Sequence, residues 1–368
     1  VSTPDRHLIA FGTETTIGTT STQDDMYIRW SDQESIDATT SWTPSATNTS
    51  GTQRLADGTR IVSAIRGRDA IYIWTDTSLF IMRFVGAPFV FSFQQVGTNC
   101  GLIGKNAAVE VDGSAYWMSE NGFFRYTGKL DSLACLVEDY VYDDINTVPR
   151  QHIYAGLNNL FGEVTWFYPG SGAASNNRSV TYNYMDSTPE RPVWTTSSLA
   201  RSTWSDSHIF GKPHGTEYDS SATSDTTVGN TDGVTTYFEH ETGVNQIKAG
   251  TSSTIAASIE SGDFDISMAQ GGGADLRGDG ENIMKIRRVL PDFLQQTGDA
   301  RVTLNLKNYP TDSQASSSLG PFEVTTSTTK IDTRARARAI SLKVDNTGTG
   351  QHWKLGTFRL DIQPDGKR

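Results

Sequence analysis

A repeat of about 46 residues is the feature that most constrains how this chain can fold. The segments that share one order of short apolar strands and turns begin at Ile61, Ala107, Ile153 and Leu199, each 46 residues apart. The middle strand of the first three segments ends near Trp74, Trp117 or Trp166. An earlier copy runs from His7 to Trp30, so five units can be counted.

A repeat of this length predicts a β-propeller-like architecture. Periods of ~40 to 50 residues with three or four short strands are typical of propeller blades, because one such sheet cannot cover both of its faces alone. The stretch Ile71–Trp74 shows this need, since it carries two isoleucines on one face and Tyr72 and Trp74 on the other. The alternative is a pair of ordinary β-sandwiches whose spacing coincides by chance.

From about Asn245 the repeat fades and longer strands with clean alternation follow. In Val302, Leu304 and Leu306, for example, every second residue is apolar, which predicts an antiparallel β-sandwich with one buried face per sheet. We therefore predict an all-β chain with a β-propeller-like domain in residues 1–244 and a β-sandwich domain in residues 245–368. We also expect that an N-terminal part of the first domain precedes Val1.

Several segments depart from the strand pattern. Apolar residues at 133, 136, 137, 140 and 141 have helical spacing, which predicts a short acidic surface helix between two blades. The segment 169–179 is expected to be an exposed loop, and so are 250–253, 268–280 and 311–320, because Gly, Ser and Asn are frequent there.

The sequence offers no recognisable catalytic or metal-binding pattern. Cys100 and Cys135 are too few for a disulfide framework, which favours free buried thiols in a reducing compartment. The six histidines lack metal-ligand spacing, and the neighbouring carboxylates Glu138 and Asp139 suit a solvated helix face better than a catalytic pair. Residues 275–281 resemble a calcium loop only superficially. We therefore predict a protein that is not an enzyme, with no cofactor and no metal.

Charge is distributed unevenly along the chain. The net charge is −11, and residues 1–244 hold 15 Lys and Arg against 28 Asp and Glu, whereas residues 245–368 hold 16 against 14. The first domain, with a net charge of −13, is thus a poor candidate for binding nucleic-acid phosphates, since such binding comes mainly from Lys and Arg. No apolar run approaches the ~18 residues that a membrane-spanning helix needs, so no membrane anchor is expected.

Three arginines alternate with alanines at Arg334, Arg336 and Arg338. On one strand they would place three guanidiniums on the same face, about 6 to 7 Å apart. One interpretation is a contact strand for acidic groups on a neighbouring subunit or for DNA phosphates, and a protein partner is preferred because Arg forms bidentate pairs with carboxylates. The other is a charged strand that prevents unwanted strand pairing.

Several stretches resemble the tail nozzle proteins of short-tailed, podovirus-type bacteriophages, also described as tail tubular protein B or phage DNA-stabilisation proteins. The stretches are "MYIRWSDQE", "WTPSATNTSGTQRLADGTRIV", "IWTDTSLFIMRFVGAPFVFSFQQVGTNCGLIG", "FGEVTWFYP", "IESGDFDI" and "LGTFRLDIQPDGKR". They span nearly the whole chain, and residues 92–104, "SFQQVGTNCGLIG", are the most specific part.

This resemblance implies a structural virion protein that is made in the host cytoplasm and located in the virion tail. Six copies would form a tube through which DNA is retained and ejected without sequence-specific binding. The implied partners are adaptor or head-to-tail proteins and tail fibres or spikes. Two alternatives stay open, namely a glycan-binding or glycan-cleaving propeller, with aromatic residues and two or three carboxylates in its central cleft, and a generic monomeric binding module.

Overall fold

The computed structural model describes residues 1–37, 40–206, 209–219, 233–248, 250–266, 282–309 and 317–366. The fold is all-β, as the sequence predicts, with one α-helix in this part of the chain, α1 (Glu138–Asp144), and short 3-10 turns at Thr20–Thr22 and Arg150–His152. Contacts divide the chain into two compact units, Val1–Glu241 and Thr242–Arg368, whereas the sequence places the boundary after residue 244.

Five antiparallel sheets follow one another along the first unit, and sequential strands are neighbours within each sheet. Sheet 1 contains β1 (Ile9–Phe11), β2 (Tyr27–Trp30) and β3 (Gly51–Arg54). Sheet 2 contains β4 (Ile61–Arg66), β5 (Ile71–Thr75), β6 (Ser78–Gly86) and β7 (Val90–Thr98). Sheet 3 contains β8 (Ala108–Val111), β9 (Ser114–Ser119), β10 (Gly122–Tyr126) and β11 (Leu130–Leu133). Sheet 4 contains β12 (Tyr154–Asn158), β13 (Glu163–Tyr168), β14 (Arg178–Asn183) and β15 (Trp194–Ser197). Sheet 5 contains β16 (Thr203–Ser205), β17 (His214–Asp219) and β18 (Val234–Glu239).

The strand positions follow the predicted repeat closely in the middle of this unit. Sheets 2, 3 and 4 begin at Ile61, Ala108 and Tyr154, each within one residue of the expected start, whereas sheet 5 begins at Thr203, four residues after Leu199. The first strands lie side by side, since β8 contacts both β4 and β12, and β12 also contacts β16. This arrangement of successive sheets through their first strands is propeller-like.

The prediction that β5 is covered on both faces is confirmed. All five of its residues are buried. Ile71 and Ile73 pack into the apolar core that includes Ile28 and Trp30 of sheet 1. Tyr72 and Trp74 pack into a second core that extends through sheets 3 and 4. Each layer is therefore stable only with a neighbouring sheet on each side.

Tryptophan side chains join successive sheets by hydrogen bonds. Nε1 of Trp117 in sheet 3 donates to the carbonyl oxygen of Cys100, which precedes that sheet, at 2.7 Å. Nε1 of Trp166 in sheet 4 donates to the carbonyl of Ala107 at 3.0 Å, and the indole of Trp204 in sheet 5 donates to the carbonyl of Leu157 at 2.8 Å. Trp74 holds the equivalent place in sheet 2, but its Nε1 is buried without a hydrogen-bond partner in the part of the chain that is described.

The predicted helix exists but is shorter than its apolar spacing indicated. Leu133 ends strand β11, and α1 begins only at Glu138. Val141 is the buried residue of the helix, whereas Leu136 and Tyr140 are 79% and 57% exposed. The prediction of one apolar helical face from 133 to 141 was therefore wrong, because two of its members face solvent and one belongs to a strand.

The loop at 169–179 is also less exposed than expected. Asn176 is buried, and its Nδ2 donates to the carbonyl oxygens of His152 at 2.7 Å and Arg201 at 2.9 Å. This side chain therefore joins the segment that leads into sheet 4 to the segment that leads into sheet 5.

The second unit is a β-sandwich with a small hairpin before it. The hairpin pairs β19 (Asn245–Lys248) with β20 (Thr251–Thr254), so the expectation of a loop at 250–253 was wrong. One sheet has the order β21 (Ser258–Glu260), β27 (Ala339–Asp345), β24 (Ala300–Lys307) and β25 (Ser317–Val324). The other has the order β26 (Ile331–Ala337), β22 (Met284–Leu290) and β29 (Arg359–Pro364), and β23 (Phe293–Thr297) pairs with β28 (His352–Leu355). Inward residues of both sheets, including Val302 and Leu304, form one buried core.

The indole hydrogen bond of Trp117 can be tested against Trp74. We expect Trp117→Phe to reduce the free energy of unfolding by about 1 to 2 kcal/mol more than Trp74→Phe, because it leaves the buried carbonyl of Cys100 without its donor. Both side chains are 0% exposed, so the two changes remove the same volume from similar surroundings. Denaturant unfolding followed by tryptophan fluorescence measures the difference. Equal losses for the two variants would contradict a stabilising role for this bond.

Candidate interaction surface

The arginine stretch lies on an edge strand of the sandwich. Ile331, Thr333, Ala335 and Ala337 of β26 are buried, whereas Arg334 and Arg336 point to the opposite, exposed side. The predicted alternation is therefore present at these two positions. Because β26 pairs with β22 alone among the described strands, its arginines also suit the second interpretation, a charged edge that resists strand pairing.

Arg338 does not belong to the same strand face. It lies at the bend between β26 and β27, and these two strands belong to different sheets. Its side chain is half-buried, and its backbone N–H donates to the carbonyl of Lys307 at 3.2 Å. The expectation of three guanidiniums on one strand face was thus wrong at this position, because the chain changes sheets there.

Neighbouring strands extend the positive charge around Arg334 and Arg336. We call this surface the basic face. It consists of the outward residues of β22, β26 and β29: Lys285, Arg287, Arg288, Arg334, Arg336 and Arg359, with Asp332 and Asp361. Six cations stand against these two carboxylates and Asp365, which pairs with Arg336, so the local charge is +3 in a chain whose net charge is −11.

Some of these cations already have ion-pair partners, and others do not. Arg288 Nε lies 3.1 Å from Asp332 Oδ1, and Arg336 pairs with Asp365. Arg287 and Arg334 are exposed and have no ion-pair partner within the described ranges. Sequence reasoning did not single out Arg287, which strict alternation with the buried Met284 and Ile286 already turns outward. The β-bulge between Ile286 and Arg288 turns Arg288 outward as well, against the alternation.

A contrasting acidic surface lies on the first unit. Asp139 and Asp143 of α1 are exposed and stand four residues apart, so they share one side of the helix. Neither has an ion-pair partner among the residues that the structure describes, whereas Asp144 pairs with Arg178 at 3.1 Å. Leu136, Tyr140 and Val148, which lie near the two carboxylates in the sequence, are also exposed. We call Asp139, Asp143 and these three side chains the acidic helix surface.

A buried cluster beside sheet 5 contains two groups with strongly lowered pKa values, Arg201 and His240. The Arg201 side chain is 3% exposed, its guanidinium lies 4.0 Å from the centre of the Phe238 ring, and Nη1 lies 3.6 Å from Glu217 Oε2. Arg201 Nε donates to His240 Nε2 at 2.9 Å, which requires that nitrogen to be unprotonated. Burial first, and then the charges of Arg201 and His214, lower the pKa of His240 to about 4. The cluster thus stabilises sheet 5, and its histidine is neutral near pH 7.

Lowering the pH should weaken the first unit through His240. The unfolded histidine takes up its proton near its ordinary pKa of 6.5, while the folded one resists protonation until about pH 4. Stability is therefore fully present above pH 6.5 and is lost as the pH falls towards 4. Seven of the eight tryptophans lie in this unit, so fluorescence-detected unfolding between these pH values follows the loss.

The variant His240→Gln isolates this contribution. A glutamine oxygen can accept the Arg201 hydrogen bond without titrating, so we expect a smaller loss of stability on acidification than in the wild type. The exposed His352→Gln serves as the control. If His240→Gln and the wild type lose stability in parallel, the pH effect does not come from His240.

One open pocket of about 490 Å³ lies beside sheet 1. Its lining includes one carboxylate, Glu14, one aromatic ring, Trp42, and the Arg29 guanidinium. The carboxylate accepts the N–H of Gly18 at 2.7 Å, and Arg29 donates to the carbonyls of Trp42, Glu14 and Thr15. The carboxylate and the guanidinium of this pocket are thus already hydrogen-bonded within the fold.

Comparisons with known proteins add no functional assignment. No protein-family model matches the chain, and a search of curated proteins found no similar sequence. In the described ranges, no three His, Cys, Asp or Glu side chains are grouped to hold a metal ion, and no helix has the length and hydropathy to cross a membrane. His208 and the acidic segment 275–281 lie outside the residues that the structure describes, and His214 begins strand β17.

Proposed function

We propose that this chain is a structural subunit of a bacteriophage tail nozzle. Copies of it form a ring, without a cofactor, around the path along which DNA is retained and ejected. The subunit also provides a platform for adaptor proteins and for tail fibres or spikes. The sequence stretches that support this proposal are distributed over both units of the fold.

The observation that carries the proposal is the place of residues 92–104, the stretch with the most specific resemblance. This stretch forms the end of β7 and the joint between sheets 2 and 3. Leu102 and Ile103 are buried in the main core, and the carbonyl of Cys100 accepts the Trp117 indole hydrogen. A Cβ at Gly101 would lie 2.1 Å from the backbone oxygen of Asp76. The role of residues 92–104 is thus to hold sheets 2 and 3 together, which suits a scaffold better than a catalytic loop.

The charge distribution is compatible with passage of DNA. Duplex DNA carries one negative charge per ~1.7 Å of its axis. Residues 1–244 carry 28 Asp and Glu against 15 Lys and Arg, so a channel wall built from this part repels the duplex. Repulsion keeps friction low, whereas a wall rich in Lys and Arg would bind the DNA and slow its ejection.

The two cysteines agree with a protein made in the host cytoplasm before it enters the virion tail. Both are free thiols, Cys100 buried and Cys135 half-buried. Burial raises the pKa of each thiol to about 11. Little reactive thiolate is therefore present near neutral pH, and the pair can remain reduced without reacting.

Electron microscopy of the purified protein tests the proposal directly. We expect two-dimensional class averages to show sixfold rings with an axial hole wide enough for a DNA duplex. The same view should appear in averages of the virion tail. Single particles at concentrations at which tails assemble would contradict the proposal and would make binding to host polysaccharide the next measurement.

A further inference from the structure

We propose that the basic face binds the acidic helix surface of a second copy of this chain. The inference rests on the proposed function, because a ring of identical subunits requires two different, complementary surfaces on each subunit. The basic face lies on the second unit and the acidic helix surface on the first, so the contact is heterologous. A contact of this kind can close into a ring.

The spacing of the unpaired charges matches across the two surfaces. Asp139 and Asp143 are one helical turn apart, which separates their Cβ atoms by about 5 to 6 Å. Arg287 falls between the register pairs Ile286–Ala335 and Arg288–Asp332, across from the part of β26 that contains Arg334. Adjacent strands are about 5 Å apart. Two guanidiniums can therefore meet two carboxylates at the same time, and each Arg can bind its carboxylate with two N–H groups.

These four side chains have no ion-pair partner among the described residues. On the basic face Arg288 and Arg336 are held by Asp332 and Asp365. Beside the helix, Asp144 is held by Arg178. In this part of the chain, the unpaired cations of the basic face outnumber its one unpaired carboxylate, Asp361, whereas Asp139 and Asp143 are both negative. This difference selects a partner by local charge, although whole copies repel each other through a net charge of −11.

Exposed apolar side chains on both surfaces also contribute to the contact. Leu136, Tyr140 and Val148, near the two carboxylates in the sequence, are 79%, 57% and 87% exposed. Leu290, on the outward side of β22, is 37% exposed beside the arginines. Burial of these side chains stabilises an interface, and the Tyr140 ring can stack on a guanidinium.

Carboxylates within the basic face favour a protein over nucleic acid as its partner. Asp332 and Asp361 stand between the arginines and are exposed on the same side. They would repel a continuous row of phosphates, whereas a partner that presents two discrete carboxylates can avoid them. We therefore assign the face to the helix of a second copy, and DNA binding is an outcome that the experiment tests.

Charge reversal on each surface tests the contact. One variant carries Arg287→Glu and Arg334→Glu, and the other carries Asp139→Lys and Asp143→Lys. Self-association is measured by sedimentation velocity over a concentration series, and each variant should associate about tenfold or more weakly than the wild type. Matched controls reverse charges on exposed segments elsewhere: Arg66→Glu with Arg68→Glu, and Asp186→Lys with Glu190→Lys.

Mixing the two reversed variants gives the decisive result. In an alternating assembly every reversed basic face meets a reversed helix, and every unchanged face meets an unchanged helix, so the equimolar mixture should regain association. If the mixture stays dissociated while one chain with all four reversals associates, the charges pair within a chain and the proposal is wrong. A milder pair, Arg287→Gln with Arg334→Gln, should show a smaller loss and guards against a folding defect.

The remaining outcomes separate this contact from the nozzle proposal. Wild-type rings that persist in both reversed variants would overturn the contact and leave the nozzle proposal standing. If the copies associate through this contact but form no ring with an axial hole, the contact is supported and the nozzle proposal is contradicted. A monomeric wild type at all concentrations would overturn the contact. The variant with Arg287→Glu and Arg334→Glu can also be tested for binding to a DNA duplex. If it loses DNA binding while its self-association is unchanged, the basic face binds phosphates instead.

Discussion

The burial of aromatic and aliphatic side chains on opposite faces of one strand determines how the first unit can be built. Tyr72 and Trp74 enter one core while Ile71 and Ile73 enter another, so sheet 2 has no face that can meet solvent. A sheet of this kind exposes apolar surface when it stands alone, and its stability comes from its neighbours. The succession of sheets in the first unit is a consequence of this requirement. The hydrogen bonds between the sheets then fix their spacing.

The indole hydrogen bonds show how a repeated residue can acquire different local roles. Trp117, Trp166 and Trp204 each donate to a backbone carbonyl that lies before their own sheet in the chain. Trp74 contributes apolar area and an edge contact with the Trp117 ring at 5.4 Å. A buried N–H without an acceptor costs free energy, so packing alone justifies Trp74 at its position. Hydrophobic burial therefore explains the recurrence of Trp, and the hydrogen bonds fix the spacing between particular sheets.

The sequence predicts strands well where side chains alternate and fails where the chain changes its path. Val302 and Leu304 could be assigned to the core because the two-residue period of a strand depends only on local geometry. The same period continues through Arg338, yet the strand ends at Ala337 and the chain passes to the other sheet. Tertiary packing sets such a bend, and no local pattern marks it. A bulge in β22 breaks the alternation in a related way, because it leaves Arg288 exposed directly after Arg287.

The helix illustrates a different limit, and it bears on how copies of this chain can recognise each other. Leu136 and Tyr140 fit an apolar helical stripe in the sequence, but their exposure leaves them as surface beside Asp139 and Asp143. At physiological ionic strength charges are screened over about 8 Å, so the overall charge of −11 acts weakly between approaching surfaces. Recognition then depends on the few unpaired charges and apolar groups that come into direct contact. A chain that is acidic as a whole can therefore associate with itself, provided that its cations are concentrated on one face.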